Sequence, residues 1–218
     1  MDVNLPIYKY MKRRHVNSFM KDGTIRVGTL YDFRNEEKHG AEIGDKDEGT
    51  KTLTTDGYHC LDTVDPNTLP PWYKKHFEES IKVQGGGRLQ FHARDGFRLK
   101  LTVPDRFVFC ASHEFDGALI ENGEYDACLK INYPLEFFNS LTNKMKHKAA
   151  WLGMGYCTYR PRLILGENDM GHEPSLIKEE RYAYQKEVRS AWEASSDEIH
   201  PFILKAKKAR KYCEVICA

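Results

Sequence analysis

The chain has 218 residues, 40% apolar and 30% charged, with 33 basic against 32 acidic side chains and a net charge of +1. This is the composition of a globular protein with a sizeable core, and it excludes a disordered chain. The near-neutral balance argues against a nucleic-acid surface spread over the whole molecule and leaves only local patches, and no run approaches the roughly 20 apolar residues of a membrane span.

The first predicted element is the alternating strand "LPIYKYM", residues 5–11. A short helix, "RRHVNSFMKDG", follows, with Val16, Phe19 and Met20 on one face and Gly23 in place to cap its end. "TIRVGTLYDF" returns as a strand. From Arg34 to Asp56 the apolar pattern vanishes into a long polar loop of the kind that carries function or moves.

"YHCLDTV" is a short apolar run, "PPWYKKHFEESIKV" is helical with Pro71 near its start, and Gly85 to Gly87 make a turn. "RLQFHA" and "FRLKLTV" alternate on either side of Gly96, which predicts a hairpin. "RFVFCAS" is apolar through its middle and is the expected central strand, buried on both sides. "YDACLKINY" is a further strand. A helix is predicted over "PLEFFNSLTNKMKHKAAWLG", from Pro134, with Phe137, Phe138, Leu141 and Met145 near one face. "GYCTYRPRLIL" reads as a strand and "GENDMGHEPSL" as a loop. The tail "HPFILKAKKARKYCEVICA" gives an apolar piece, a basic helix or turn and a last strand. Without repeats or a linker, the expectation is one α+β domain over residues 1–218, with a mixed, largely antiparallel sheet of short strands and two to four helices.

Six cysteines, at 60, 110, 128, 157, 213 and 217, form no CxxC pair. With no secretory leader they read as reduced thiols of a cytoplasmic protein. His39, Asp45, Asp47 and Glu48 cluster in the polar loop, but Gly49 falls one position early for a calcium loop. Polar turns explain the cluster, and no metal is expected. Ser112 and His113 are adjacent on a strand, so they face opposite ways and form no hydrolase pair.

The stretch "RYAYQKEVR", Arg181 to Arg189, carries the most chemistry. As a strand it aligns Gln185, Glu187 and Arg189 on one face. As a helix it puts Ile177, Tyr184, Val188 and Trp192 on one side and the charges in water. In a third reading Glu187 pairs with a buried arginine.

Four spaced motifs, "GTIRVGTLYDFR" with "GDKDEG", "FVFCAS", "GYCTYRPR" and "LIKEERYAYQKEVR", resemble a family of uncharacterised bacterial and phage proteins over about residues 7 to 195. That resemblance implies no activity. The chain also resembles ADP-ribosyltransferase-like folds. "YKY" or "IRV" takes the place of a first basic motif, Ser112 the second, and Gln185-Lys186-Glu187 the third. Lys9 stands where an Arg or His is expected, and the middle motif is not Ser-Thr-Ser. The resemblance implies NAD as ligand. Glu187 would stabilise an oxocarbenium-like transition state, Gln185 would orient the ribose or acceptor, Arg34 or Arg26 would hold phosphate, and Tyr10 or Tyr184 would stack on a ring. Beside this enzyme-like reading stands a non-catalytic one, in which the 34–56 loop or the basic segment at Lys205 to Lys211 docks a protein or nucleic acid.

Overall fold

The computed structural model describes residues 5–40, 44–54, 59–61, 91–93, 98–121 and 125–216. The expected helix at 70–83 and the glycine turn at 85–87 lie outside them. The expected α+β class is found, built on an eight-stranded antiparallel sheet.

The chain opens with β1 (Ile7–Met11), α1 (Arg13–Asp22) and β2 (Thr24–Thr29). Val16 and Phe19 of α1 are buried, and Gly23 ends the helix with φ of 80°, its N–H donating to the Phe19 carbonyl. A Cβ there would stand 2.5 Å from the Ala206 backbone, so both conformation and space require glycine.

The polar segment is more ordered than expected. It contains a 3-10 turn (Asp32–Arg34), the four-residue α2 (Glu36–His39) and β3 (Thr50–Thr54). Asp45 and Glu48 are each 1% exposed, so this stretch is packed into the molecule rather than draped over it. Next come β4 (His59–Leu61), β5 (Phe91–Ala93), β6 (Arg98–Thr102) and β7 (Phe107–Ser112). The expected β5–β6 hairpin is corrected: β5 pairs with β4, and β6 pairs with β3.

The short α3 (Ala118–Glu121) leads to β8 (Ala127–Ile131) and then α4 (Pro134–Met145), which buries Phe137, Phe138, Leu141 and Met145 as the periodicity predicts. Each such side chain contributes roughly 1.5–3 kcal/mol by leaving water. The helix is shorter than predicted, because Ala149–Tyr156 forms β9 instead. The expected single strand at 155–165 is split into β10 (Thr158–Tyr159) and β11 (Leu163–Leu165). After β12 (Ile177–Lys178), the ambiguous stretch resolves into both forms at once: a 3-10 helix at Glu180–Gln185, then β13 (Glu187–Ala194). Lys186 joins them at φ of 44°. The chain ends with β14 (Phe202–Lys205), a basic 3-10 helix (Lys207–Tyr212) and β15 (Cys213–Ile216).

The sheet order places β7 at the centre, as its apolar sequence predicted. One edge of β7 pairs along its whole length with β13, from Glu187 opposite Ser112 to Trp192 opposite Phe107. The other edge is shared. β1 meets it only at Ser112, opposite Tyr8, and β2 only at Phe107 and Val108. Between these points, Phe109 to Ala111 have no register partner on that edge. The sheet therefore forks: β1 leaves with β8 and β15, β2 leaves with β14, and α1 connects the two arms.

Alternation gives the sheet two unlike faces. Phe107, Phe109, Val188 and Trp192 join Phe19, Phe137, Phe138 and Leu141 in the main apolar core. Cys110, Glu187 and Arg189 alternate onto the second face, and a separate small sheet of β11, β3 and β6 has its own cluster of Leu53, Ile164 and Ile177. Among the described residues, no helix is long and apolar enough to cross a membrane, and Cys110, Cys128, Cys157 and Cys213 are free thiols.

Candidate functional site

The fork opens into a cavity of about 480 Å³, a volume within the range of small-molecule sites. Lys9 and Tyr10 enter it from β1, Arg26 from β2, Cys110 and Ser112 from β7, Glu187 from β13, and Gln185 from the end of the 3-10 helix before it. α1 contributes Lys12, His15 and Ser18.

One wall is a chain of buried charges. Glu187 and Arg189 share a face of β13, and the Arg189 Nε donates to Glu187 Oε1 at 2.5 Å. Arg189 also grips Glu48 with two hydrogen bonds of 2.7 Å and donates to the Ser175 carbonyl. Lys178 donates to Glu187 Oε2 at 2.8 Å and to the Gln185 side-chain oxygen at 2.5 Å. Behind them Arg162 pairs with Asp45 and lies 3.8 Å from Glu48. Three cations and three carboxylates alternate in this network, so its charge closes on itself, the condition under which buried ions are tolerated.

The electrostatics follow from that geometry. Burial alone would push the Glu187 carboxyl up, but Arg189 and Lys178, together with hydrogen bonds from Arg189 and the Cys110 thiol, hold it well below the usual carboxylate range. Burial likewise opposes the charge on Lys178, and the Glu187 carboxylate outweighs it, leaving the amine more basic than usual. The Cys110 thiol, buried beside that carboxylate, is pushed up to about 12 and is neutral and inert as a nucleophile near pH 7.

The opposite wall is basic and aromatic. Arg26 reaches Asp32 at 2.5 Å, and Asp32 also accepts from Lys38 and contacts the His39 ring. Tyr10 stacks with Phe115 at 6.2 Å between centroids and lies 6.0 Å from Tyr125. Its hydroxyl accepts from the Asp116 N–H at 2.5 Å, and burial raises its pKa to about 12.

Of the residues singled out from the sequence, Glu187, Gln185, Arg26, Tyr10, Tyr184 and Ser112 all line this cavity. Gln185 and Glu187 are not neighbours on one strand face, because Gln185 ends the 3-10 helix. Lys178 brings them together instead. Ser112 is engaged locally, donating to the Glu114 carbonyl at 2.8 Å and accepting from the Glu114 N–H. Arg34 does not line the cavity. Its guanidinium lies 3.5 Å from the Tyr31 ring centroid and its Nε donates to the Glu48 carbonyl, so it pins the turn that carries Glu48. Three residues of the site escaped the sequence reading. Lys178 is one letter inside the motif that ends in Glu187 and Arg189, Glu48 reads as part of a polar turn, and Lys9 reads as a departure from a pattern. Among the described residues, no group of three or more His, Cys, Asp or Glu is arranged to hold a metal ion. No family model, curated protein or solved structure matches the chain.

Proposed function

We propose that the fork binds NAD or a related nucleotide and that the protein is ADP-ribosyltransferase-like, acting in the cytoplasm of a bacterium or of a phage-infected cell. The observation that carries this reading is the convergence of Glu187, Gln185, Arg26, Tyr10 and Tyr184 on one cavity, although they are up to 177 positions apart in the chain.

Each side chain has a role suited to its surroundings. Glu187 keeps its negative charge near neutral pH, which is what stabilising an oxocarbenium-like centre demands. Three donors already reach it, so it is held in place before any ligand arrives. Gln185, fixed by Lys178, presents its amide beside it. Arg26 offers a guanidinium suited to a phosphate, at the cost of its contact with Asp32. Tyr10 and Tyr184 offer ring faces to a base or nicotinamide.

Incubation with nicotinamide-labelled NAD tests the reading. Wild type releases nicotinamide, and Glu187→Gln slows release by about a hundredfold or more while keeping the fold. Neither release nor NAD binding by folded wild type ends the proposal.

A second proposal rests on the basic 3-10 helix. Ala206 and Ala209 are buried there, which leaves Lys207, Lys208 and Lys211 exposed together. Such a patch suits a nucleic-acid or acidic-protein contact. Charge reversal of these lysines is expected to abolish salt-dependent retention on a polyanion column, and unchanged retention contradicts it.

A further inference from the structure

Lys9 is a cavity cation that stands outside the buried network. Its ammonium lies 5.3 Å from the Phe109 ring centroid, in the gap where β1 and β7 have parted. Among the described residues, no carboxylate is in ion-pair contact with it and no side-chain hydrogen bond reaches its nitrogen. The nearby carboxylate of Glu187 already serves Lys178, Arg189 and the Cys110 thiol. Arg26 faces Lys9 from β2 with a like charge, and Lys12 and His15 line the same space from α1.

The balance of its surroundings disfavours a proton on this amine. Burial is the largest influence and lowers its pKa, and Arg26 lowers it further, against opposing pulls from Cys110 and Glu187. The pull from Cys110 needs a thiolate, and that thiol is itself pushed up to about 12, so near pH 7 it supplies no negative charge. A desolvated amine beside another cation is the standard way a lysine is made nucleophilic.

We propose that Lys9 is the reactive group of this cavity and captures the carbonyl carbon of an aldehyde or ketone ligand as an imine. The amine lone pair attacks that carbon, and the two amine hydrogens and the carbonyl oxygen leave as one water. A carbon–nitrogen double bond forms with no change of oxidation state. This chemistry stands whether or not a nucleotide occupies the rest of the fork, because it needs only Lys9 and a carbonyl.

The test is reductive trapping on the full chain. Wild type is incubated at pH 7 with glyceraldehyde and sodium cyanoborohydride, and the rate of alkylation at each lysine is followed by peptide mass. Lys9 is expected to be labelled at least about tenfold faster than the exposed Lys207 and Lys208, since a lowered pKa leaves more free amine at pH 7. Its rate is also expected to level off at a lower pH than theirs. Labelling of Lys9 no faster than these two, or none, overturns the proposal. Lys9→Met should melt no lower than wild type, because it removes an unpaired amine, and should lose only the fast phase. A fast phase that survives in this variant also overturns the proposal. NAD turnover is measured separately, so loss of one activity leaves the other standing.

Discussion

The two faces of the eight-stranded sheet are made from the same strands and held by opposite means. On one, Phe109, Val188 and Trp192 meet Phe137, Phe138 and Leu141 in an apolar core. On the other, Cys110, Glu187 and Arg189 meet Glu48, Lys178 and Ser175 in a web of charge and hydrogen bonds. An apolar face relaxes in part around a lost side chain. A charged face does not, because every group lost leaves a partner buried and unpaired. The face that is costly to keep is also the one that borders the cavity, where charge in a dry, fixed geometry is chemically useful.

The largest break in this contrast is expected from Arg189→Met. It strands the Glu187 and Glu48 carboxylates and should cost about 3–5 kcal/mol in denaturant unfolding. Adding Glu48→Gln should restore part of that loss, a coupling that a double-mutant cycle reads directly. On the apolar face, Leu141→Ala should cost about 2–4 kcal/mol from lost contacts and a cavity, and no second substitution of a contacting residue to a smaller one should restore it.

The next effect is in the pH dependence. The Glu187 carboxyl is depressed from its ordinary value of 4.5. The folded state therefore binds fewer protons than the unfolded one, so the contribution of Glu187 is complete above about 4.5 and is lost as pH falls further. Wild type should lose stability more steeply below pH 4.5 than Glu187→Gln, in melts recorded from pH 7 downward. Equal slopes would mean that the carboxylate is not held as described. The smallest effect is expected on the rim, where Lys130 and Glu214 pair at 2.6 Å in solvent across β8 and β15. Lys130→Met should leave the unfolding midpoint where it was.

The apolar face was the legible one. Phe137, Phe138, Leu141 and Met145 recur at helical spacing, and "FVFCAS" has the continuous run of a central strand. Gly23 announced the end of α1. Local pattern misled where partner choice decided the outcome. The run 88–103 has the alternation and turn glycine of a hairpin, yet β5 and β6 found other partners. The lysine-rich stretch after Met145 has helical propensity, but the chain turns and Ala149–Tyr156 extends the sheet beside β13.

The charged face was half legible. The motif from Lys178 to Arg189 contains much of its chemistry, but Glu48 comes from a segment 139 positions before Glu187, and no local signal joins them. The fork was invisible, since it exists only because β1 and β2 compete for one edge of β7. That is a property of the assembled sheet and not of any strand in it. Lys9 acquires its character from that gap, which is why its sequence neighbours did not mark it.

Direct titration with NAD and with ADP-ribose by calorimetry tests the central claim, that the fork is a nucleotide site. The account predicts saturable binding with one ligand per chain, weakened at least about tenfold by Tyr10→Ala and by Arg26→Ala in proteins that melt like wild type. No saturable heat with folded wild type at millimolar ligand, or binding that neither substitution alters, would contradict it.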